Sequence, residues 1–266
     1  MQVFEVVDGN RIFYGENISM NEKNIVFSGG HDNILYLEGD LKLGDSIIDF
    51  RGSNSTIFLS SNPFAYHCRL IVCNNSALYI GRNNSVNTGG DVMQIILSER
   101  KHFVMGDTCN LSFEIWARTA DPHLIYSVET KRRINPSRSI FIGDHVWIGQ
   151  DAMLLKGTQI GSGSIIGTKA VISGKKIPSN TIWAGNPARQ VKDKIFWAGS
   201  SVHAWTAEQT AAHEVFDTDE VTFERDETTL SFDEIDRRLT EAPTSDARLN
   251  ILLELSNNTA KNRFAI

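Results

Sequence analysis

With 266 residues, 41% hydrophobic and 22% charged, the chain can hold one long domain or two modest ones and has an ordinary soluble composition. A net charge of −6 and a pI near 5.7 argue against a dedicated nucleic-acid binder. Cys68, Cys73 and Cys109 form no CxxC pair, which predicts reduced thiols in a cytoplasmic protein. The N-terminus MQVFEVVDGNRIFYGE has neither the basic stretch nor the apolar run of a signal peptide. No apolar run approaches the roughly 18 residues that would span a bilayer, so no transmembrane segment is predicted.

Residues 1–110 repeat loosely. LYLEGDLKLGDS (35–46), TIFLSSN (56–62), ALYIGRNNSV (77–86) and FVMGDTCNLS (103–112) are short alternating strands, each followed by Gly, Asn, Ser or Asp. Leu37, Leu59, Ile80 and Met105 mark equivalent positions 21 to 25 residues apart. This reads as irregular solenoid coils, with Asn74, Asn75, Asn83 and Asn84 at corners where Asn tolerates left-handed backbone. An ordinary antiparallel β-domain is the competing reading. Residues 112–139, SFEIWARTADPHLIYSVETKRRINPSRS, continue a strand and then turn polar from Asp121. A long irregular loop of this kind, 121–139, is a natural place for function.

The region 140–177 is the most regular. Ile142, Ile148, Leu154, Ile160, Ile166 and Ile172 recur at every sixth position, each with a small or β-branched residue two places before it. Gly follows at 143, 149, 161 and 167. A period of six fits neither a helix nor a hairpin; it fits a hexapeptide β-helix, in which three hexads make one triangular coil and the branched residues point to the axis. Pro178, Gly185 and Pro187 then interrupt the repeat. From about residue 200 the hexad signal is gone, and between Ala207 and Ala247 thirteen Asp/Glu face three Lys/Arg. Ser231 with Glu234 forms a capping-box pattern ahead of Ile235 and Leu239, and Leu249, Ile251 and Leu252 mark a second helix. The organisation predicted is a β-helix over 1–200 and an acidic, mainly helical extension over 201–266, packed on its own subunit or on an assembly partner.

Of the seven histidines, His123 stands out because Asp121 precedes it by two residues in the projecting loop. An Asp-x-His pair lets a carboxylate hold an imidazole tautomer. A zinc site fails on inventory, since His102, His123 and His145 are the only set near the coils and lack a paired-histidine spacing.

RTADPHLIYSVETKRRINPSRSIFIGDHVWIGQDAMLLKGTQIG, with the later AGNPARQVK (184–192), resembles the active-site region of bacterial hexapeptide-repeat O-acetyltransferases. The likeness is stronger to enzymes that acetylate polysialic acid capsule and more distant to galactoside and maltose acetyltransferases. It covers residues 114–197, is thematic over 1–110, and is absent beyond about 205. One departure is Leu124 where the family often has Pro, with Pro122 before the histidine instead.

The resemblance implies an all-β, left-handed parallel β-helix and acetyl transfer from acetyl-CoA, without a metal, to a sugar hydroxyl of a surface polysaccharide or its precursor. It implies His123 as general base, Trp147 as oxyanion donor and Asp121 as orienter, with Glu114 the alternative. Tyr126, His145 and Glu114 are the implied substrate contacts, although His145 reads first as a corner residue. Gly149, Gln150, Gly167, Thr168 and Ser173 would line the pantetheine arm. Lys175 or Lys176, Arg189 and Lys192 would meet the nucleotide phosphates. A parallel homotrimer with sites between chains, and a cytoplasmic place at the periphery of the inner-membrane polysaccharide machinery, complete the expectation. An N-acetyltransferase of a nucleotide-linked amino sugar, or a non-catalytic glycan-binding or structural β-helix, are the alternatives.

Overall fold

The computed structural model describes residues 2–6, 8–21, 23–87, 90, 92–218 and 220–266. From Ala77 onward each turn of the chain visits three sheets in the same order, and among the described residues all but two strand pairings are parallel. Leu37, Leu59, Ile80, Met105, Ile142, Ile160 and Ile177 are lateral neighbours in the first sheet, one per coil. All seven are fully buried in one apolar cluster along the axis. The loose repeat of the first half and the strict repeat of the second are therefore one solenoid. The architecture is a left-handed parallel β-helix.

The hexad residues alternate among the sheets: Ile148 pairs with Ile166 in the second and Leu154 with Ile172 in the third. The residues two places earlier, such as Val146, Ala152, Thr158 and Ala170, are also fully buried. They share the inward face of the strand, which is why only small or branched side chains fit. In the earlier coils, Asn75 and Asn83 sit at corners with φ of +53° and +56°. Asn84 ties two coils by accepting from the Cys109 amide at 2.6 Å and donating to the Gly106 carbonyl at 3.0 Å.

Helices α1 (Ala207–Ala212), α2 (Phe232–Glu241) and α3 (Ser245–Asn257) follow the coils. The first sheet has an outward stripe of Tyr36, Phe58, Tyr79, Val104 and Phe141, in register from strand to strand. Phe232, Ile235 and Leu239 of α2, Leu252 and Leu255 of α3, and Phe264 cover that stripe and form a second apolar cluster with it. Ser231 caps α2 by accepting from the Glu234 amide at 3.3 Å, while the Glu234 carboxylate turns to Arg237 at 2.6 Å instead of closing the box.

Buried charges pin the tail. Arg263, 2% exposed, bridges Asp144 at 2.6 Å and Asp107 at 2.9 Å, which are corner residues of adjacent coils. Arg82 grips Glu38 and the Ser256 carbonyl at 2.8 and 2.9 Å. His102 is fully buried under α2; its Nδ1 accepts from the Ala77 amide at 3.0 Å, so its Nε2 donates to Thr240 at 3.2 Å. Burial pushes this imidazole down to about 3. Cys68, Cys73 and Cys109 are free thiols, and burial pushes Cys68 up to about 12. Among the described residues no helix is long and apolar enough to cross a membrane.

Candidate active site

The 119–139 loop leaves the third-sheet strand Trp116–Arg118 and returns to the first-sheet strand Ile140–Ile142, so it stands on the edge between those sheets. It is a short hairpin, with a bridge between Tyr126 and Arg133. Arg133 holds it to the preceding coil by a two-pronged bond to Glu99 at 2.7 and 2.8 Å. The Glu99 carboxyl is thereby lowered to about 2 by Arg133 and by the Ser137 hydroxyl. Lys156 of the following coil bonds Asp121 at 2.5 Å.

Asn135 is the centre of this network. Its Nδ2 donates to the His123 carbonyl at 2.8 Å and to Asp121 at 3.0 Å, and its Oδ1 accepts from the Ile125 amide at 2.9 Å. The main chain on both sides of His123 is thus fixed while the histidine itself is exposed. The Asp121 carboxylate bonds Lys156 and Asn135 through Oδ2, and these hold it below the usual carboxylate range; through Asn135 it steadies the His123 backbone. Tyr126 is 53% exposed on the hairpin.

Trp147 lies elsewhere. It is in the strand Trp147–Ile148 of the second sheet, 40% exposed. In a triangular coil the second sheet faces away from the edge between the third and first, so one chain holds His123 and Trp147 on opposite sides. Trp147 packs beside Trp197, ring centroids 6.0 Å apart. His145 adopts φ +54° at the corner before this strand and stacks on Trp197 at 4.0 Å. Each of these two residues bonds the other's carbonyl at 2.9 Å, through His145 Nε2 and Trp197 Nε1. His145 accordingly braces the corner, and burial lowers its proton affinity.

Gly149, Gln150, Gly167 and Thr168 fall on the edge between the second and third sheets. A Cβ on Gly149 would come within 2.6 Å of the Thr168 nitrogen, and one on Gly167 within 2.9 Å of the Ala184 Cβ. These glycines answer first to coil stacking. The same edge carries a groove of about 650 Å³ lined by Val92, Gln94, Glu114, Trp116, Asp151 and Met153. Glu114, at φ +60°, is therefore a groove residue and cannot orient His123 of its own chain. Arg189 and Lys192 are exposed on the strand Arg189–Lys192, which pairs antiparallel with Ile182–Ala184 and closes the last coil. Ser173 and Lys175 occupy the edge that also carries the loop. Lys176 points along the first sheet to Asp233 at 2.9 Å, which takes it away from any ligand on the other edge. Of the residues involved, Asn135, Lys156, Glu99 and Trp197 had no local signal: each acts on a partner distant in sequence.

Residues 139–174 fit the family model for the bacterial transferase hexapeptide (six repeats). The chain is 29% identical over 187 residues to a polysialic acid O-acetyltransferase of Neisseria meningitidis, covering 70% of this chain and 85% of that one. It is 33% identical over 129 residues to a polysialic acid O-acetyltransferase of Escherichia coli O1:K1 / APEC, covering 48% of this chain and 40% of that one. Over these coils the chain is thus similar to bacterial hexapeptide-repeat transferases. Crystal structures of the polySia specific acetyltransferase NeuO and the polysialic acid O-acetyltransferase OatWY superpose with TM-scores of 0.64 and 0.57, at 25% and 24% identity. Each aligns with 77% of this chain, and with 94% and 98% of its own.

Proposed function

We propose that this hexapeptide-repeat transferase moves the acetyl group of acetyl-CoA to a hydroxyl of a bacterial surface polysaccharide or its precursor, with His123 as general base. The observation that carries this reading is the exposed His123, whose backbone is held on both sides by Asn135 in a loop anchored to two coils. A base on a floppy loop would lose the geometry that proton transfer needs. The similarity to two polysialic acid O-acetyltransferases supports the saccharide class of the acceptor.

The imidazole takes the proton of the acceptor hydroxyl as its oxygen attacks the thioester carbonyl. The resulting oxyanion collapses, the C–S bond breaks, and the leaving thiolate receives the proton from the imidazolium. An imidazole suits both transfers because its ordinary pKa lies near neutral pH. The Trp147 indole N–H is the donor assigned to the oxyanion. Since Trp147 and His123 stand on opposite sides of one coil, the site is completed by a second copy, as in a parallel homotrimer.

The fit to coenzyme A is partial but sufficient. The edge at Gln150 and Thr168 carries the groove that Trp116 and Met153 help to line, and the exposed Arg189 and Lys192 on the closing strand suit phosphates. The test is thiol release from acetyl-CoA over a panel of capsular and O-antigen glycans, with mass spectrometry to locate the added acetyl. Release with at least one glycan and acetyl on a sugar oxygen is expected; binding of glycan without any thiol release would overturn the reading.

A further inference from the structure

Among the described residues, two stretches with exposed apolar side chains carry opposite charge. The first is the His123 hairpin, 124–134. Leu124, Ile125, Tyr126, Val128 and Ile134 are 58, 49, 53, 83 and 60% exposed. Its charged residues are Lys131, Arg132 and Arg133 against Glu129 alone. Arg133 is spent on Glu99, and among the described residues Lys131 and Arg132 have no ion-pair partner.

The second is an arm, 199–218, that leaves the coils and comes back. It departs after Trp197 and returns at Phe223, whose carbonyl accepts from Asn180 at 2.7 Å. Between them α1 buries none of its residues, and neither apolar cluster takes in any residue of the arm. Val202, Val215 and Phe216 are 65, 80 and 48% exposed. From 199 to 218 the sequence has three carboxylates, Glu208, Glu214 and Asp217, and no Lys or Arg.

These surfaces cannot meet within one chain. The hairpin is fastened to the edge between the third and first sheets by Glu99 and Lys156. The arm is rooted on the edge between the first and second, where Trp197 stacks on His145 and the Ile195 amide donates to the Asn180 carbonyl at 3.0 Å. The first sheet between those edges is covered by α2 and α3. A second copy of the chain removes the conflict. Trp197 touches Trp147, and Phe216 packs on Phe196 at 6.0 Å, so the foot of the arm stands beside the indole that needs a neighbour's histidine.

We propose that the acidic arm 199–218 of each chain clasps the basic, apolar hairpin 124–134 of a neighbouring copy and holds that copy's His123 against its own Trp147. The proposal rests on the transferase reading with its shared site, and it assigns the arm the task of fixing the neighbour's loop. Apolar contact supplies the attraction, and the charges select the hairpin over other apolar surfaces and fix its register.

Cross-linking tests it. In a Cys73→Ser background, with Cys68 and Cys109 buried, one preparation carries Val128→Cys and the other Val215→Cys. After subunit exchange and mild oxidation, the mixture is expected to give a disulfide-linked pair of chains on a denaturing gel, which neither preparation gives alone. A monomeric protein in sedimentation, or no mixed pair from a trimer, would overturn the proposal. The charge test is independent. Lys131→Glu with Arg132→Glu should raise the subunit dissociation constant about tenfold or more, and Glu214→Lys with Asp217→Lys in the same chain should restore it, since about 1.4 kcal/mol corresponds to tenfold. Loss without restoration contradicts the pairing. A missing cross-link with His123-dependent transfer intact sinks the arm alone; a cross-link without transfer to any glycan sinks the transferase reading alone.

Discussion

Asn135 does for the His123 loop what the coils cannot do directly. One amide side chain holds the His123 carbonyl, the Ile125 amide and the Asp121 carboxylate, so the histidine backbone is fixed without its ring being engaged. Asn135→Ala should therefore lower kcat about tenfold to a hundredfold while leaving the KM for acetyl-CoA nearly unchanged, as expected when a base is mispositioned and binding is spared. A rise in KM alone, measured by steady-state kinetics, would assign Asn135 to binding instead. The motif around His123 was legible in the sequence, but its anchoring was not. Asp121 sits two residues from His123, and spacing suggested that they touch; the carboxylate instead answers to Lys156, 35 positions away. His145 likewise reads as a neighbour of Trp147 until Trp197, 52 positions away, closes over it. Local spacing carries no information on such partners.

At the scale of elements, the coils were legible because the axis imposes one rule on every strand. The regular part satisfies it every sixth residue, and the early part at wider, uneven intervals, because its corner loops vary in length while the strand register stays fixed. Ile160→Ala, at a fully buried axial position, should cost about 2–5 kcal/mol in urea unfolding. The tail was legible as helices but not as a cover, since the aromatic stripe it covers is assembled from five strands of different coils. Its attachment carries a pH dependence. His102 is neutral in the fold, with its proton affinity down to about 3, while an unfolded histidine titrates near 6.5. The unfolded chain therefore takes up the proton first as pH falls. Stability from this group is full above about 6.5 and drains toward 3, by an amount of order a few kcal/mol. Urea midpoints measured from pH 7 to 4 should fall more steeply in the parent than in His102→Asn, which keeps an acceptor for the Ala77 amide but does not titrate there. Parallel declines would remove His102 from the account.

The whole molecule explains why a single chain reads as incomplete. His123 stands on one edge and Trp147 on the opposite sheet, with a groove on a third side; the proposed threefold packing would bring such surfaces together. Mixing His123→Ala with Trp147→Phe protein and allowing subunits to exchange should recover activity that neither variant has alone, because some interfaces regain both groups. No recovery from proteins shown to exchange would place the two residues in separate tasks. The charge on the chain is consistent with a division of labour, acidic on the arm and basic on the hairpin, and this is invisible to a total of −6. The central claim is general-base catalysis by His123, and thiol release from acetyl-CoA with a saccharide acceptor tests it most directly. The account predicts that His123→Ala binds acetyl-CoA with parental affinity in calorimetry and loses about 10²–10⁴-fold in acceptor-dependent release. Turnover within a few fold of the parent would contradict it.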